Sequence, residues 1–440
     1  MDTVFGTLQE WLDYQQRVHP NAIELGLDRV REVWRRLGAP APAPLVITVG
    51  GTNGKGSTVA FLEAMLAADG RRVGAYTSPH LLRYNERVRV AGRDVDDAVL
   101  IDAFERIEAA RVREAAAPVA LTYFEYGTLA ALWIFSQSAL DVAVLEVGLG
   151  GRLDAVNLID ADAAIVTTID LDHQDWLGDD RDSIGREKAG IFRAGRPAIV
   201  GEHAPPAALV EEAERIGAEL RLAGRDFTFS RQEGGWTWRC GDTELALPPP
   251  QLAAPAQLAN AAAAIAALYA VRERAGWNPQ AIAQGTAQAR IGARLQRFAG
   301  APELIVDVGH NPQAARVLAE WLRAEATPGR TLAVFGALGD KDVRGIVAAL
   351  SDLVDVWFLA GLEGDSPRGL TVDDLRAEIG AALDTPAEWV ANATVEVALF
   401  AACEQAQPGD RVLAFGSFFV AATALQFAAR RLAKRSAGVA

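Results

Sequence analysis

The 440-residue chain predicts an α/β protein of two domains, each built around a largely parallel β-sheet. Three features predict it. Apolar runs of strand length alternate with helical patterns through the first half of the chain. A stretch of different character, with alternating Trp and Thr around paired glycines, follows at about 225–247. A second strand–helix series then begins after about Ala293. The length also favours two domains over one. The expected boundaries are 1–293 and 294–440.

Composition narrows the class. Half of the residues are hydrophobic and 23% are charged, as in a folded chain with a large core. The net charge is −14, and the one short basic run is "RRLAKR", Arg430–Arg435, so nucleic acid is not an expected partner. Cys240 and Cys403 form no C-x-x-C pair. Neither a disulfide framework nor a structural zinc is expected, which fits a reducing cytoplasm. The opening "MDTVFGTLQEWLDYQQ" has no basic and then apolar region and does not read as a signal peptide. The most apolar run, Val412–Ala429, contains Gly416, Ser417, Thr423 and Gln426. It reads as strand, turn and helix rather than a membrane span.

In order along the chain, Leu27, Val30, Val33, Trp34 and Leu37 fall at helical spacing, and "GAPAPAP" ends that helix. A buried-type strand follows at Leu45–Val49, then a glycine loop, then a helix from about Ser57 to Ala68. Apolar strands ending near Ser78, Glu146 and Asp172–His173 come next, implying a parallel sheet covered on both faces. "FTFS" and "WTWRC", separated by Gly234-Gly235, predict a small antiparallel side sheet. An alanine-rich helix is expected at Asn260–Arg272. The second series has the strands "ELIVDVG", "TLAVFGA", "DVWFLAG" and "RVLAFGS". Asp307, His310, Asp340, Asp365 and Ser417 gather at their C-terminal ends, the edge where open α/β sheets bind ligands. A cleft between the two domains is the expected site.

The loop "VITVGGTNGKGST", Val46–Thr58, lies between a strand and a helix. Glycines at 50, 51, 54 and 56 free the backbone to turn and aim N–H groups at an anion, and the helix N-terminus adds its dipole. Lys55 can meet β- and γ-phosphates, and Ser57 or Thr58 can reach a magnesium ion. The usual pattern is G-x-x-x-x-G-K-[ST]. Here Val49 stands at the first glycine position and Gly56 directly follows Lys55. Elsewhere, Glu146 ends an apolar strand before glycines 148, 150 and 151, where a carboxylate can hold Mg²⁺. His173 ends another strand and reads either as a ligand of that ion or as a hydrogen-bonded histidine. Lys188, beside Glu187, reads by composition as a solvated lysine. Phe124 reads as a stacking platform for a flat heterocycle or as core. Asn311 reads as a binding residue or a helix cap.

The segment Gly-Thr-Asn-Gly-Lys-Gly-Ser at 51–57 resembles the loop of the ATP-dependent Mur ligase superfamily. Together with "SPHLLRYNERV", "LTYFEYGTLAALWIF", "LEVGLGGRLDAVN", "DLDHQDWLG", "SIGREKAGIF", "DVGHNP" and "FGALGDKD", it is similar to the folylpolyglutamate synthases. The likeness is strongest to the bacterial bifunctional dihydrofolate synthase/folylpolyglutamate synthase family. It spans nearly the whole chain. It implies an N-terminal P-loop-type ATPase domain and a C-terminal Rossmann-like glutamate ligase domain. It also implies ATP bound by Gly51, Thr52, Asn53, Gly54, Lys55, Gly56, Ser57 and Thr58, with Asn260 near adenine and Asp307 near ribose or phosphates. Two Mg²⁺ ions are implied: one on Ser78, Glu146 and His173, with Ser57 beside the phosphates, and a second helped by a carbamylated Lys188. Thr122, Phe124 and Asp154 are implied at a pterin pocket, and His310 and Ser417 near L-glutamate. "ARLQ" keeps Arg294 and Gln296 of a family stretch but has Ala293 for a glycine and Leu295 for an aromatic residue.

The implied reaction joins L-glutamate to dihydropteroate or tetrahydrofolate through an acyl phosphate, with Lys55, His173, Lys188 and Arg294 as catalytic residues. A cytoplasmic monomer with no membrane partner is implied. A monofunctional folylpolyglutamate synthase is the nearest rival, and a nucleotide-binding protein that ligates nothing is the rival of another class. A cell-wall Mur ligase fits poorly, because the loop begins near residue 50 and leaves no room for that group's N-terminal domain.

Overall fold

The structure is a computed structural model describing residues 5–21, 23–114, 118–382 and 388–436. The side chains of Lys434 and Arg435, at the end of the basic run, lie outside the described residues. The chain forms two compact units, Met1–Gln251 with Leu258–Arg290, and Leu252–Gln257 with Ile291–Ala440.

The first unit is built on an eight-stranded sheet. Its strands are β1 (Leu45–Gly50), β2 (Val73–Tyr76), β3 (Val88–Val90), β4 (Arg93–Asp94), β5 (Val142–Glu146), β6 (Ala163–Val166), β7 (Pro197–Val200) and β8 (Glu219–Leu222). They lie in the order β4-β3-β2-β5-β1-β6-β7-β8. β1 is buried along its whole length between β5 and β6, with Val49 opposite both Glu146 and Ile165. The chain leaves β1 towards β2 on one side and reaches β6 on the other, so the loop after β1 sits at the point where the winding reverses.

The sheet is parallel except at one edge. β3 pairs antiparallel with β2 and with β4. The link from β2 to β3 is too short for a crossover helix, so the chain returns directly. Ala91 and Gly92 between β3 and β4 both have positive φ, +49° and +75°, the backbone of a tight two-residue hairpin. Ala-Gly is a weak sequence signal for that turn.

Helix Lys55–Ala68 carries the phosphate-loop exit and packs on helix Pro279–Gln288. A Cβ on Gly285 would lie 2.4 Å from the Met65 backbone nitrogen, so the two helices meet backbone to backbone. Helix Leu8–Val18 is tied down by a buried polar cluster in which Arg111 donates to Glu108 and to the Tyr14 and Tyr126 hydroxyls. The side sheet has three strands, β9 (Thr228–Gln232), β10 (Gly235–Cys240) and β11 (Thr243–Leu247). Trp238 of β10 is fully buried and its Nε1–H donates to the Ala262 carbonyl at 3.2 Å. That bond fixes the side sheet on the alanine-rich helix Gln257–Ala270.

The second unit holds six strands, β12 (Gln296–Phe298), β13 (Glu303–Val306), β14 (Thr331–Phe335), β15 (Val356–Ala360), β16 (Glu388–Asn392) and β17 (Arg411–Phe415). Their order is β12-β13-β17-β14-β15-β16, parallel except for β12. The run from Val412 divides into β17 and helix Phe418–Ser436. Among the described residues no helix is long and apolar enough to cross a membrane.

Ala39, exposed just after helix Asp28–Arg36, has φ +46°. A left-handed alanine is strained and an exposed one has no packing to lose. Ala39→Gly is therefore expected to stabilise the protein by about 0.5–1 kcal/mol, read as a higher urea midpoint at unchanged m-value.

Candidate active site

The glycine loop is gripped by the two threonines that follow β6. The Asn53 N–H donates to Thr168 Oγ1 at 3.0 Å, and Thr167 Oγ1 donates to the Asn53 carbonyl at 2.5 Å. The Thr52 N–H reaches the Thr168 carbonyl at 2.7 Å. Gly51 is close to Thr167; a Cβ there would sit 1.9 Å from its Oγ1. Gly54 opens the helix with φ +86°, and a Cβ there would lie 2.4 Å from Asn260 Oδ1. Asn260 thus packs on the loop. The Lys55 ammonium curls back to the carbonyls of Gly51 and Thr52 at 3.0 and 3.1 Å. Gly56, Ser57 and Thr58 are buried in the first helical turn, with Thr58 Oγ1 donating to the Gly54 carbonyl.

Beside the loop, the Glu146 carboxylate at the end of β5 accepts the Ser78 N–H at 3.1 Å. Gly148 follows, and Phe124 packs so tightly against it that a Cβ would come within 2.5 Å of the ring. Thr122 caps helix Tyr123–Ser136 reciprocally: its Oγ1 accepts the Glu125 N–H and Glu125 accepts the Thr122 N–H. Asp154 is buried. It accepts the N–H groups of Leu149 and Val156 at 2.8 and 2.9 Å. Burial pushes its carboxyl up to about 6, against the opposing pull of those amides and of Lys55.

Lys188 lies in helix Arg181–Ala189 and is buried, contrary to the solvated lysine its neighbours predict. Its amine is lowered to about 7, first by burial and then by the Lys55 charge, with Asp172 and Asp154 opposing. His173 opens the short helix Gln174–Leu177 with φ +52°, its N–H bonded to the Asp172 carboxylate at 2.9 Å. Among the described residues no three His, Cys, Asp or Glu side chains converge on one point. Carboxylates stand around the loop: Glu146 at the end of β5, which accepts the Ser78 N–H, and Asp154 and Asp172, both within electrostatic reach of Lys188; Ser57 and Ser78 add hydroxyls. Such a sparse oxygen set fits Mg²⁺, which keeps several waters and needs one or two carboxylates.

In the second unit, Gly416 N–H donates to the Gly309 carbonyl at 3.0 Å and draws the loops after β13 and β17 together. His310 and Ser417 lie on those loops. The His310 ring is 2.9 Å from the Val308 carbonyl through Nδ1 and 6.0 Å from the Phe418 ring. Ser417 Oγ accepts the Val420 N–H at 3.1 Å as a helix cap. Asp307 accepts N–H groups from Leu295 and Gly309 at 2.8 and 2.7 Å; burial raises its pKa and Arg294 lowers it. The Arg294 guanidinium stands over Phe418 at 5.7 Å. Ala293 and Leu295 flank it at φ +54° and +48°, so the left-handed backbone persists where alanine stands for glycine. Asn311 caps helix Pro312–Ala324 through the Ala314 N–H. Asp340 pairs with Lys341 and Arg368, while Asp365 is exposed.

Comparison with known proteins covers both units. Residues 49–268 match the Mur ligase middle domain, and residues 293–418 match the Mur ligase glutamate ligase domain. The dihydrofolate synthase/folylpolyglutamate synthase of Escherichia coli K12 is 46% identical over 422 residues, covering 95% of each chain. The chain belongs to the dihydrofolate synthase/folylpolyglutamate synthase family of Mur ligases. A solved structure of E. coli FolC in complex with DHPP and ADP superposes on this ligase with TM-score 0.90 at 45% identity, covering 97% of this chain and 99% of that one. A bifunctional folylpolyglutamate synthase/dihydrofolate synthase with Mn, AMPPNP and L-glutamate bound gives 0.86 at 45% identity, covering 96% and 98%.

Sequence reasoning left out the threonine grip of Thr167 and Thr168, the nearness of Asp172 to Lys188, and a buried arginine, Arg87. The "VTT" ending of β6 was the available signal for the first. In this ligase Gly54→Ala would force a left-handed alanine into Asn260. The expected result is a loss of about 1–3 kcal/mol of stability and at least tenfold weaker ADP binding, measured by urea unfolding and calorimetry.

Proposed function

We propose that this ligase joins L-glutamate to dihydropteroate, forming dihydrofolate, and to tetrahydrofolates, forming polyglutamates. The 46% identity to the bifunctional E. coli enzyme across 95% of both chains carries the reading. In the proposed reaction the substrate carboxylate attacks the γ-phosphate of ATP and the bond to ADP breaks. The amine of glutamate then attacks the acyl phosphate carbon, loses a proton and expels phosphate. Lys55 holds phosphate charge at the loop, whose N–H groups and helix dipole add to it. Arg294 meets the transferred charge, with Asp307 orienting it, and Asn260 borders the nucleotide. Two magnesium ions, when bound, neutralise phosphate charge and polarise the transferred group. Ser57, Ser78, Glu146 and His173 would hold them, with Lys188 as a carbamate. The neutral amine that burial favours at Lys188 is the form that adds CO₂.

Thr122, Phe124 and Asp154 form the pterin pocket in this reading. Tight packing of Phe124 on Gly148 leaves a flat apolar wall, and Asp154, buried and titrating near 6, can accept from ring N–H groups. His310 and Ser417 receive L-glutamate. We further propose a cytoplasmic monomer acting on small molecules, with neither nucleic acid nor membrane as partner; the net charge of −14 supports this.

Phosphate release from ATP, Mg²⁺ and L-glutamate tests the reading, with dihydropteroate in one tube and tetrahydrofolate in another. Release in both, with glutamylated products by mass, is the expected result. Release with tetrahydrofolate alone makes the enzyme monofunctional. Release in neither, with ADP binding intact, overturns the folate assignment.

Lys188 carries a separate expectation. Between pH 7 and 10.5 its amine is neutral when folded and protonated when unfolded, so the unfolded state holds more protons and stability rises with pH. Urea unfolding in CO₂-free buffer should show that rise in the wild type and its absence in Lys188→Met.

A further inference from the structure

Arg87 ends the one-turn helix Tyr84–Arg87 and is 8% exposed. Its Nε donates to His80 Nδ1 at 2.9 Å. The guanidinium stands 5.1 Å from the centre of the Tyr84 ring and 5.5 Å from that of Tyr123. Buried guanidinium groups ordinarily find a carboxylate. Arg89 does so with Glu63 at 2.8 Å and Arg111 with Glu108 at 2.7 Å. Among the described residues Arg87 has no acidic partner, and its two terminal nitrogens make no hydrogen bond. Neither nitrogen is among the fully enclosed, unsatisfied atoms, so both keep some access to solvent.

Arg87 stands beside the residues proposed above for the pterin pocket. Tyr123 lies between Thr122 and Phe124. Tyr76, 6.2 Å from the Phe124 ring, is within electrostatic reach of both Arg87 and Asp154. His80, which holds Arg87, is two residues beyond Ser78, whose N–H is bonded to Glu146. His80 holds the Nε–H, and the two terminal nitrogens, which make no hydrogen bond, are the pair by which a guanidinium meets a carboxylate with two parallel bonds.

The two substrates differ in what they offer such a cation. Dihydropteroate carries one carboxylate, which is consumed in the reaction. Tetrahydrofolate ends in a glutamyl group, whose second carboxylate stays charged throughout and lies a few bonds from the reacting one. We propose that Arg87, oriented by His80, Tyr84 and Tyr123, is the subsite for that standing carboxylate. It serves glutamate addition to tetrahydrofolate and is dispensable for dihydropteroate. This rests on the folate reading proposed above.

Arg87→Met and Arg87→Lys, assayed with both substrates beside the wild type, test it. Loss of a charge-assisted bond predicts a KM for tetrahydrofolate raised about tenfold to a hundredfold in Arg87→Met. Its kcat/KM for dihydropteroate should stay within about threefold of wild type. Arg87→Lys keeps the charge without the fork and should fall between. Intact turnover of dihydropteroate and an unchanged melting temperature show that the pocket is folded. If Arg87→Met unfolds, Arg87→Lys alone decides by the same split between substrates. Equal loss with both substrates, or no change with either, overturns the subsite while leaving the folate reading standing. A wild type that glutamylates neither substrate overturns both.

Discussion

Two lysine amines of like charge, Lys55 and Lys188, stand within electrostatic reach of one another at the loop after β1. Burial of Lys188, reinforced by the Lys55 charge, lowers its amine, and the groups around it accommodate that cost. Lys55 is pinned to the carbonyls of its own loop, Lys188 is buried on a separate helix, Asp154 lies near both and Asp172 near Lys188. Desolvation is the first cause of the lowered Lys188 amine, and Lys55 is less deeply enclosed than Lys188.

The frame holding these groups is assembled from pieces far apart in sequence. The loop is locked by threonines over a hundred residues later, Gly54 at its helix cap meets Asn260, and its helix rests on Gly285. Parallel strand order makes this possible. β1 lies between β5 and β6, so the C-terminal ends of three neighbouring strands deliver the loop, Glu146 and the Thr167–His173 segment to one edge. The second unit repeats the device with β13 and β17, which bring Asp307, His310 and Ser417 together.

Much of this was legible in the residues. Buried strands such as Leu45–Gly50 announce themselves as unbroken apolar runs, and the Gly–Lys–Gly–Ser order marks the anion loop. The antiparallel edge was not legible, because Ala91-Gly92 lacks the usual turn residues and β4 is only two residues long. Lys188 misled for a different reason. "REKAG" looks solvated, but burial of one face of a helix depends on what packs there, and Lys55, Gly151 and Asp154, which lie close to Lys188, are distant in sequence. Arg87 escaped notice similarly: a lone arginine has no sequence mark that distinguishes a paired cation from one left without an acid.

The contact at Gly285 shows how far the site extends beyond its chemistry. Gly285 lies against Ala64 and Met65, far along helix Lys55–Ala68 from the glycine loop. Yet any side chain there would push against the Met65 backbone and lever the helix whose opposite end bears Ser57 and Thr58. In a mutational scan scored by growth, position 285 would rank with the phosphate loop and be mistaken for a ligand-touching residue. Tolerance to substitution in this enzyme therefore maps the rigidity of its supports as much as the location of its reaction.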